Sequence, residues 1–327
     1  MVKKIALFIA QSRVAAVIAS LLCLGLWIYG LMGTGSQSVL DAKIWNYVIV
    51  ILYLLVGIAV VRLMKKHAIS TKHQLLPMTL LMMGGALSPQ LSTMSVGAIQ
   101  LVLIIIAYQF LLDTYRERYA MSSYFMAFTL FGVGSLITPQ LLFVVPLLIL
   151  SAIPLQSLHF RTFCASLLGI LLPFWVAFSI LFLTDNTHHI AQYFDSVIPS
   201  SYPFPTDVLC IPLSDVSVTV PIAAIHVVWI LLTLIPASIH VITNVNMKVS
   251  VRASLYHTSL LILILLIAIF VFPALYHVLL PTLLFLTPIL GANFFDAHLS
   301  ELWRSIYLVV MTVIWLLVIG LYLWSIL

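Results

Sequence analysis

The sequence predicts an all-α fold, a polytopic transmembrane helical bundle, and three observations lead to it. Of the 327 residues, 63% are hydrophobic and 7% are charged, whereas soluble domains carry about 25% charged residues. The apolar residues form long runs without the alternation that marks the strands of a membrane β-barrel. Basic residues gather between the runs, as they do in the cytoplasmic loops of membrane proteins.

The chain is predicted to be a single integral membrane domain over 1–327, with about 11 spans. The apolar runs lie at 14–32, 45–61, 75–87, 96–112, 121–137, 141–155, 163–183, 216–239, 253–272, 274–290 and 306–327. A span needs about 20 residues, and about 17 is the usual lower limit. The third and sixth runs are shorter, so they are either thin spans among neighbours or re-entrant segments. Residues 1–13 start with basic residues and are expected to form an interfacial helix.

The basic residues orient the chain. Two apolar runs lie in every gap between basic clusters, so the clusters can all share one side of the membrane. Only Lys43 of the 14 basic residues then lies on the other side. The positive-inside rule favours this arrangement. It gives five helical hairpins and a C-terminal helix, with the N-terminus in the cytoplasm and the C-terminus outside it.

Two features shape the loops of this layout. A single helix over 253–290 would be about 57 Å long, so Pro273 is predicted to mark a turn between two spans of a ~30 Å core. Residues 184–218 form an acidic extracytoplasmic loop with four Asp and no Lys or Arg. The loop's HHIAQYF stretch predicts a short interfacial helix with aromatic anchors, and its four prolines exclude a long helix from the rest.

The chain contains an internal repeat. Residues 79–91 read TLLMMGGALSPQL and residues 129–141 read TLFGVGSLITPQL. The repeat makes 73–112 and 122–160 a pair of hairpins that run in the same direction, a parallel hairpin repeat. The simplest interpretation is a duplicated hairpin with well-capped turns.

Each copy of the repeat carries residues with an expected role. The glycine lets helices approach closely, and the proline ends one helix and begins the next. These helix-packing residues are Gly84, Gly134, Pro89 and Pro139. The residue before each proline, Ser88 or Thr138, is expected to cap the next helix. The glutamine after each proline, Gln90 or Gln140, is expected to bond across the tips or to contact a polar ligand at the membrane surface.

Asp41 is the candidate catalytic residue, because it is the acidic residue of the first outside loop. A carboxylate there can act as a general base or hold a metal ion. It can equally cap the second helix or pair with Lys43.

Asp185, His188 and His189 are candidates for contact with a substrate or partner. They are metal-ligand types, but adjacent histidines point in different directions on a helix, and the chain has no HExxH spacing. The sequence therefore predicts no metal and no cofactor. The histidines of the later spans, His226, His240, His257 and His277, are expected to bond neighbouring helices, with a proton relay as the alternative.

Three stretches carry a resemblance to known proteins: SLITPQLLFVVPLLILSAIPLQSLHFRTF, LLGILLPFWVAFSILFL before the acidic loop, and KVSVRASLYHTSLLI. Together with the hairpin before them, they resemble an uncharacterised family of multispanning inner-membrane proteins of the Bacteroidetes, a domain of unknown function. The likeness covers 73–186 and the later turn. It implies a location in the bacterial inner (cytoplasmic) membrane and supplies no catalytic residue.

The chain is also similar to membrane glycosyltransferases that use polyprenyl-phosphate sugars. The shared order is an Arg-bearing turn, a Gly-containing helix, a Pro-Gln tip and an apolar return helix. That likeness implies Asp41 as the catalytic base. The favoured expectation is a non-enzymatic scaffold or accessory subunit in cell-envelope processes; the transferase and a carrier for a lipid or amphiphile are the alternatives. Expected partners are the lipid bilayer, other membrane proteins and a polyprenyl-linked lipid, and no nucleic acid.

Overall fold

A computed structural model describes residues 17–18, 21–22, 24–25, 40–69, 75–86, 95–197, 208–213, 216–244, 247–296, 309–310 and 313. The helices with defined bounds are α1 (Leu40–Lys66), α2 (Leu76–Ala86), α3 (Ser95–Asp113), α4 (Met121–Ile137), α5 (Val144–Ser151), α6 (Phe160–Leu183), α7 (His188–Val197), α8 (Ile222–Thr243), α9 (Val249–Val271) and α10 (Tyr276–Asp296). Short 3₁₀ segments occupy Pro139–Phe143, Ile153–Leu155 and Pro273–Leu275. A two-stranded hairpin joins β1 (Val208–Leu213) to β2 (Val216–Pro221).

Four helices in the described ranges are long and apolar enough to cross a membrane. They are Phe160–Leu183, Ile225–Thr243, Val249–Val271 and Tyr276–Asn293, with 24, 19, 23 and 18 residues. A helix of about 20 residues covers the ~30 Å hydrocarbon core. The chain is therefore a helical membrane protein, as its composition predicts.

The largest departure from the predicted helices lies at 216–239. Residues Val216–Pro221 pair with Val208–Leu213 in an antiparallel register that places Val208 opposite Pro221. The helix begins only at Ile222. The alternation in VSVTV and its β-branched residues favour an extended chain, and this local preference is invisible when only apolar content is counted.

The turn predicted at Pro273 is confirmed. Helix α9 ends at Val271, and Phe272 is extended, with φ −127° and ψ 84°. Proline disfavours the helical region for the residue before it, which is why the helix stops there. One 3₁₀ turn then leads into α10 at Tyr276.

The two short runs have different structures. Helix α2 has 11 residues, about 16 Å of helix. The run that contains α5 is helical from Pro139 to Leu155, because a 3₁₀ segment lies at each end of α5. Since a 3₁₀ helix rises about 2.0 Å per residue, this run extends about 28 Å, close to the thickness of the hydrocarbon core.

The chain packs as two compact units. The first comprises Met1–Ala98, Pro205–Val245 and Leu284–Leu327, and the second comprises Ile99–Phe204 and Asn246–Leu283. In the first unit, Gly84 of α2 lies against the indole of the fully buried Trp229 of α8, so that even a methyl group would collide with the ring. The glycine of the first repeat thus lies at a close helix contact.

In the second unit, α4 and α6 pack closely through glycines that the sequence analysis did not select. A Cβ atom at Gly169 would lie 2.5 Å from the carbonyl oxygen of Phe125, and one at Gly132 would lie 2.9 Å from that of Ile170. Small residues at such crossings let membrane helices approach backbone to backbone. Gly134, by contrast, has only ordinary contacts, with Leu141 and Leu103.

Candidate functional site

The structure places Asp41 in the first turn of α1, which begins at Leu40. Asp41 lies within the helix, and its role as a cap or as a partner of Lys43 stays a prediction. The rest of the first outside loop, with Pro89 and Gln90 of the first repeat, lies outside the described residues. The catalytic role of Asp41 remains a prediction.

The second copy of the repeat is described in full. Pro139 is the first residue of the 3₁₀ segment that follows α4, and Gln140 is half-buried in it. Thr138 occupies the cap position, but its hydroxyl donates back to the carbonyl oxygen of Gly134 at 3.0 Å and does not cap the next segment. The threonine therefore closes the helix before it.

Asp185, His188 and His189 lie at the junction of α6 and α7, and all three are exposed. Asp185 has φ 57°, and the turn is closed by bonds from its N–H to Phe182 O and from Asn186 N–H to Leu181 O. This is a Schellman motif, in which the left-handed residue is usually Gly or Asn. His188 begins α7, and its ring centroid lies 4.0 Å from that of His189.

Helix α7 is held to the bundle by aromatic side chains. Tyr193 contacts the rings of Phe174 and Phe178 with centroid distances of 5.6 and 6.1 Å, and Phe194 lies 5.8 Å from Phe178. The Tyr193 hydroxyl donates to Ser135 O at 2.8 Å. Partial burial raises the pKa of Tyr193 above its usual value, although this hydrogen bond opposes the shift. The phenol is therefore protonated at neutral pH and able to donate.

A notch of about 540 Å³ opens between α6 and α7. It is lined by Trp175, Phe178, Ser179, Phe182, Leu183 and Ile190. This notch was not predicted from the sequence. The available signal was the spacing of three aromatic residues in α6, at i, i+3 and i+7, next to a helix with aromatics of its own.

Helix α6 is the least covered of the four membrane-length helices. In the most apolar 18-residue stretch of α6, 28% of the residues are buried, against 89% in the corresponding stretch of α10. Most of its buried residues are small, among them Ala165, Ser166 and Gly169, and its other face carries large apolar side chains. Trp175 is 78% exposed and Phe182 is 72% exposed. Extended apolar surface of this kind marks contact with a membrane or with another protein.

The opposite end of the second unit is tied by hydrogen bonds between two turns. Arg116 N–H donates to Leu155 O at 3.1 Å, and its Nε donates to Gln156 Oε1 at 3.0 Å. Ser157 Oγ lies 2.9 Å from Thr114 Oγ1 and 3.0 Å from the Tyr124 hydroxyl. The turn after α3 and the turn before α6 therefore form one structure.

Buried polar groups join α3, α5 and α9 within the second unit. Because Thr258 donates to Ser254 O, the Tyr108 hydroxyl is the donor in its bond to Thr258. His257 Nδ1 donates to Ser151 O of α5. His257 thus makes the helix–helix bond that the sequence analysis favoured for the histidines of the later spans.

These observations leave three regions for function: the notch between α6 and α7, the exposed face of α6, and the turn with Asp185 that adjoins both. Among the described residues, no three His, Cys, Asp or Glu side chains gather as a metal-ligand group. No protein family, curated protein or solved structure matches this chain.

Proposed function

We propose that the chain is a multispanning protein of the bacterial inner membrane, with eleven spans arranged as five hairpins and a C-terminal helix. The first support is the joined turns around Arg116 and Gln156, which bring the end of α3 and the start of α6 to one end of the second unit. If the chain crosses the membrane an even number of times between the two turns, as the charge pattern requires, both turns lie on the same side. The ~28 Å helical run over 139–155 supports a crossing there.

The distribution of charge gives the second support. Helix α9 packs beside Ile153–Leu155 at the basic end, and its far end reaches Phe143 through Phe272, with ring centroids 6.3 Å apart. Lys248 and Arg252 at its start therefore lie at the same end as Arg116. Asp185 and Asp195 of the acidic loop lie at the other end, where Tyr193 bonds Ser135. The basic end is expected to face the cytoplasm.

Labelling of single cysteines tests this orientation. In a chain whose own three cysteines are replaced by serine, His188→Cys should react with a membrane-impermeant maleimide added outside intact spheroplasts. Glu117→Cys should react only after lysis, because its turn faces the cytoplasm. Both side chains are exposed, so burial does not explain a difference. The reverse pattern would overturn the layout.

We infer that the protein acts as a non-enzymatic scaffold or accessory subunit whose uncovered α6 face receives a membrane helix of a partner protein. This proposal rests on a unit whose helices are joined by hydrogen bonds and on one helix of 24 residues, α6, in which only 28% of the most apolar stretch is buried. Leu168, Leu172 and Val176 are exposed at intervals of four. They form the i±4 ridge that packs into the groove of a second helix.

Photo-crosslinking from within α6 tests the scaffold proposal. A photoreactive amino acid in place of Leu168, which is exposed, should yield a discrete crosslinked protein in native membranes. The same substitution at Ile170, which is 8% exposed and faces α4, is the control and should crosslink only within this chain. If Leu168 yields lipid adducts without a protein product, the scaffold proposal is wrong.

A further inference from the structure

The notch between α6 and α7 has the size and lining of a site for an apolar chain. Its volume of about 540 Å³ lies within the range of about 300–1,000 Å³ that small-molecule sites occupy. Five of its six lining side chains are apolar, and Ser179 is the polar exception. Several of them, including Trp175 and Leu183, stay largely exposed in the folded chain.

The notch is formed before any ligand arrives. Its α7 wall is fixed by the bond from Tyr193 to Ser135 and by ring contacts with Phe174 and Phe178. The Schellman turn at Asp185 fixes the direction in which α7 leaves α6. A preformed site spends little binding energy on ordering its own side chains.

The surroundings of the notch select the kind of ligand. The lining extends along α6 from Trp175 to Leu183, about 12 Å of helix, which suits an extended hydrocarbon chain. Toward the outer end, the turn with Asp185 begins two residues after Leu183, and residues 184–197 include two aspartates and no Lys or Arg. Carboxylates attract an ammonium group and repel an anionic one.

We propose that the notch binds one acyl chain of an outer-leaflet phospholipid with a primary ammonium headgroup, and that Asp185 faces this headgroup. The lipid occupies the outer end of α6, whereas the partner ridge lies toward the middle of the helix. The site is therefore independent of the scaffold proposal, whereas its place in the outer leaflet rests on the proposed orientation, which the cysteine labelling tests separately.

Native mass spectrometry of the purified full-length chain tests the site. The protein is titrated in mild detergent with dioleoyl-phosphatidylethanolamine or dioleoyl-phosphatidylglycerol. We expect preferential retention of one phosphatidylethanolamine molecule. Ser179→Trp, which fills the notch from an exposed position, should lower this retention several-fold. Leu168→Trp places the same side chain on the same helix outside the notch and should leave it unchanged.

Asp185→Asn tests the headgroup contact separately. Asparagine tolerates the left-handed backbone of the turn, so the variant removes the charge and preserves the fold. The preference for phosphatidylethanolamine over phosphatidylglycerol should fall about fivefold, the scale of one exposed charge pair. Equal retention in Ser179→Trp and Leu168→Trp, or no preference between the two lipids in the unmodified chain, would overturn the proposal.

Discussion

Replacing Gly169 with alanine is expected to force α4 and α6 apart and to lower the unfolding temperature of the protein markedly. The new methyl group would lie 2.5 Å from Phe125 O and 3.1 Å from Thr129 N. Both atoms belong to the backbone of α4, so no side chain can rotate away to make room. Overpacking a buried site typically costs about 1–3 kcal/mol, and displacement of a helix backbone puts this substitution at the upper end.

Gly134→Ala is the matched control for this prediction. Its new Cβ would lie 3.4 Å from a Leu141 methyl carbon and 3.7 Å from one of Leu103, both ordinary contact distances. Alanine also favours the helix over glycine by about 0.5–1 kcal/mol, so the control should be unchanged or slightly more stable. Thermal unfolding in mild detergent, followed by size-exclusion chromatography, measures both variants. Similar losses for both would show that the α4–α6 contact is not the cause.

Ser157→Ala is expected to loosen the two joined turns at the basic end of the second unit. The Thr114 hydroxyl donates to Leu111 O, so Ser157 must donate to Thr114, and Tyr124 must donate to Ser157. Removing the serine hydroxyl breaks both bonds in a site where Ser157 is 0% exposed, and it leaves Thr114 as the remaining hydroxyl partner of Tyr124. A buried donor that loses its partner costs about 1–3 kcal/mol.

The double variant Ser157→Ala with Tyr124→Phe distinguishes a lost hydrogen bond from a packing defect. Removing both partners leaves no buried donor that has lost its acceptor, so the double variant should be more stable than the sum of the two single losses predicts. Chemical unfolding of the three variants, each compared with the unmodified chain, gives this coupling. Strict additivity would mean that the hydroxyl chain does not stabilise the turns.

The sequence by itself determined the elements whose cause is local. The bounds of α4 match the predicted run at 121–137, the turn at Pro273 follows from proline chemistry, and the short helix after α6 follows from its amphipathic pattern. The helical membrane class follows from composition. Each of these depends on residues that are neighbours in the chain.

Only the tertiary structure decided which surfaces meet. In a membrane helix nearly every face is apolar, so hydrophobic periodicity does not reveal the packed side. The repeat therefore drew attention to Gly134, whereas the close approach of α4 and α6 occurs at Gly132 and Gly169. The notch likewise depends on the Tyr193–Ser135 bond, across 58 positions of the sequence, and on the ring contacts of Tyr193, which together hold α7 against the bundle.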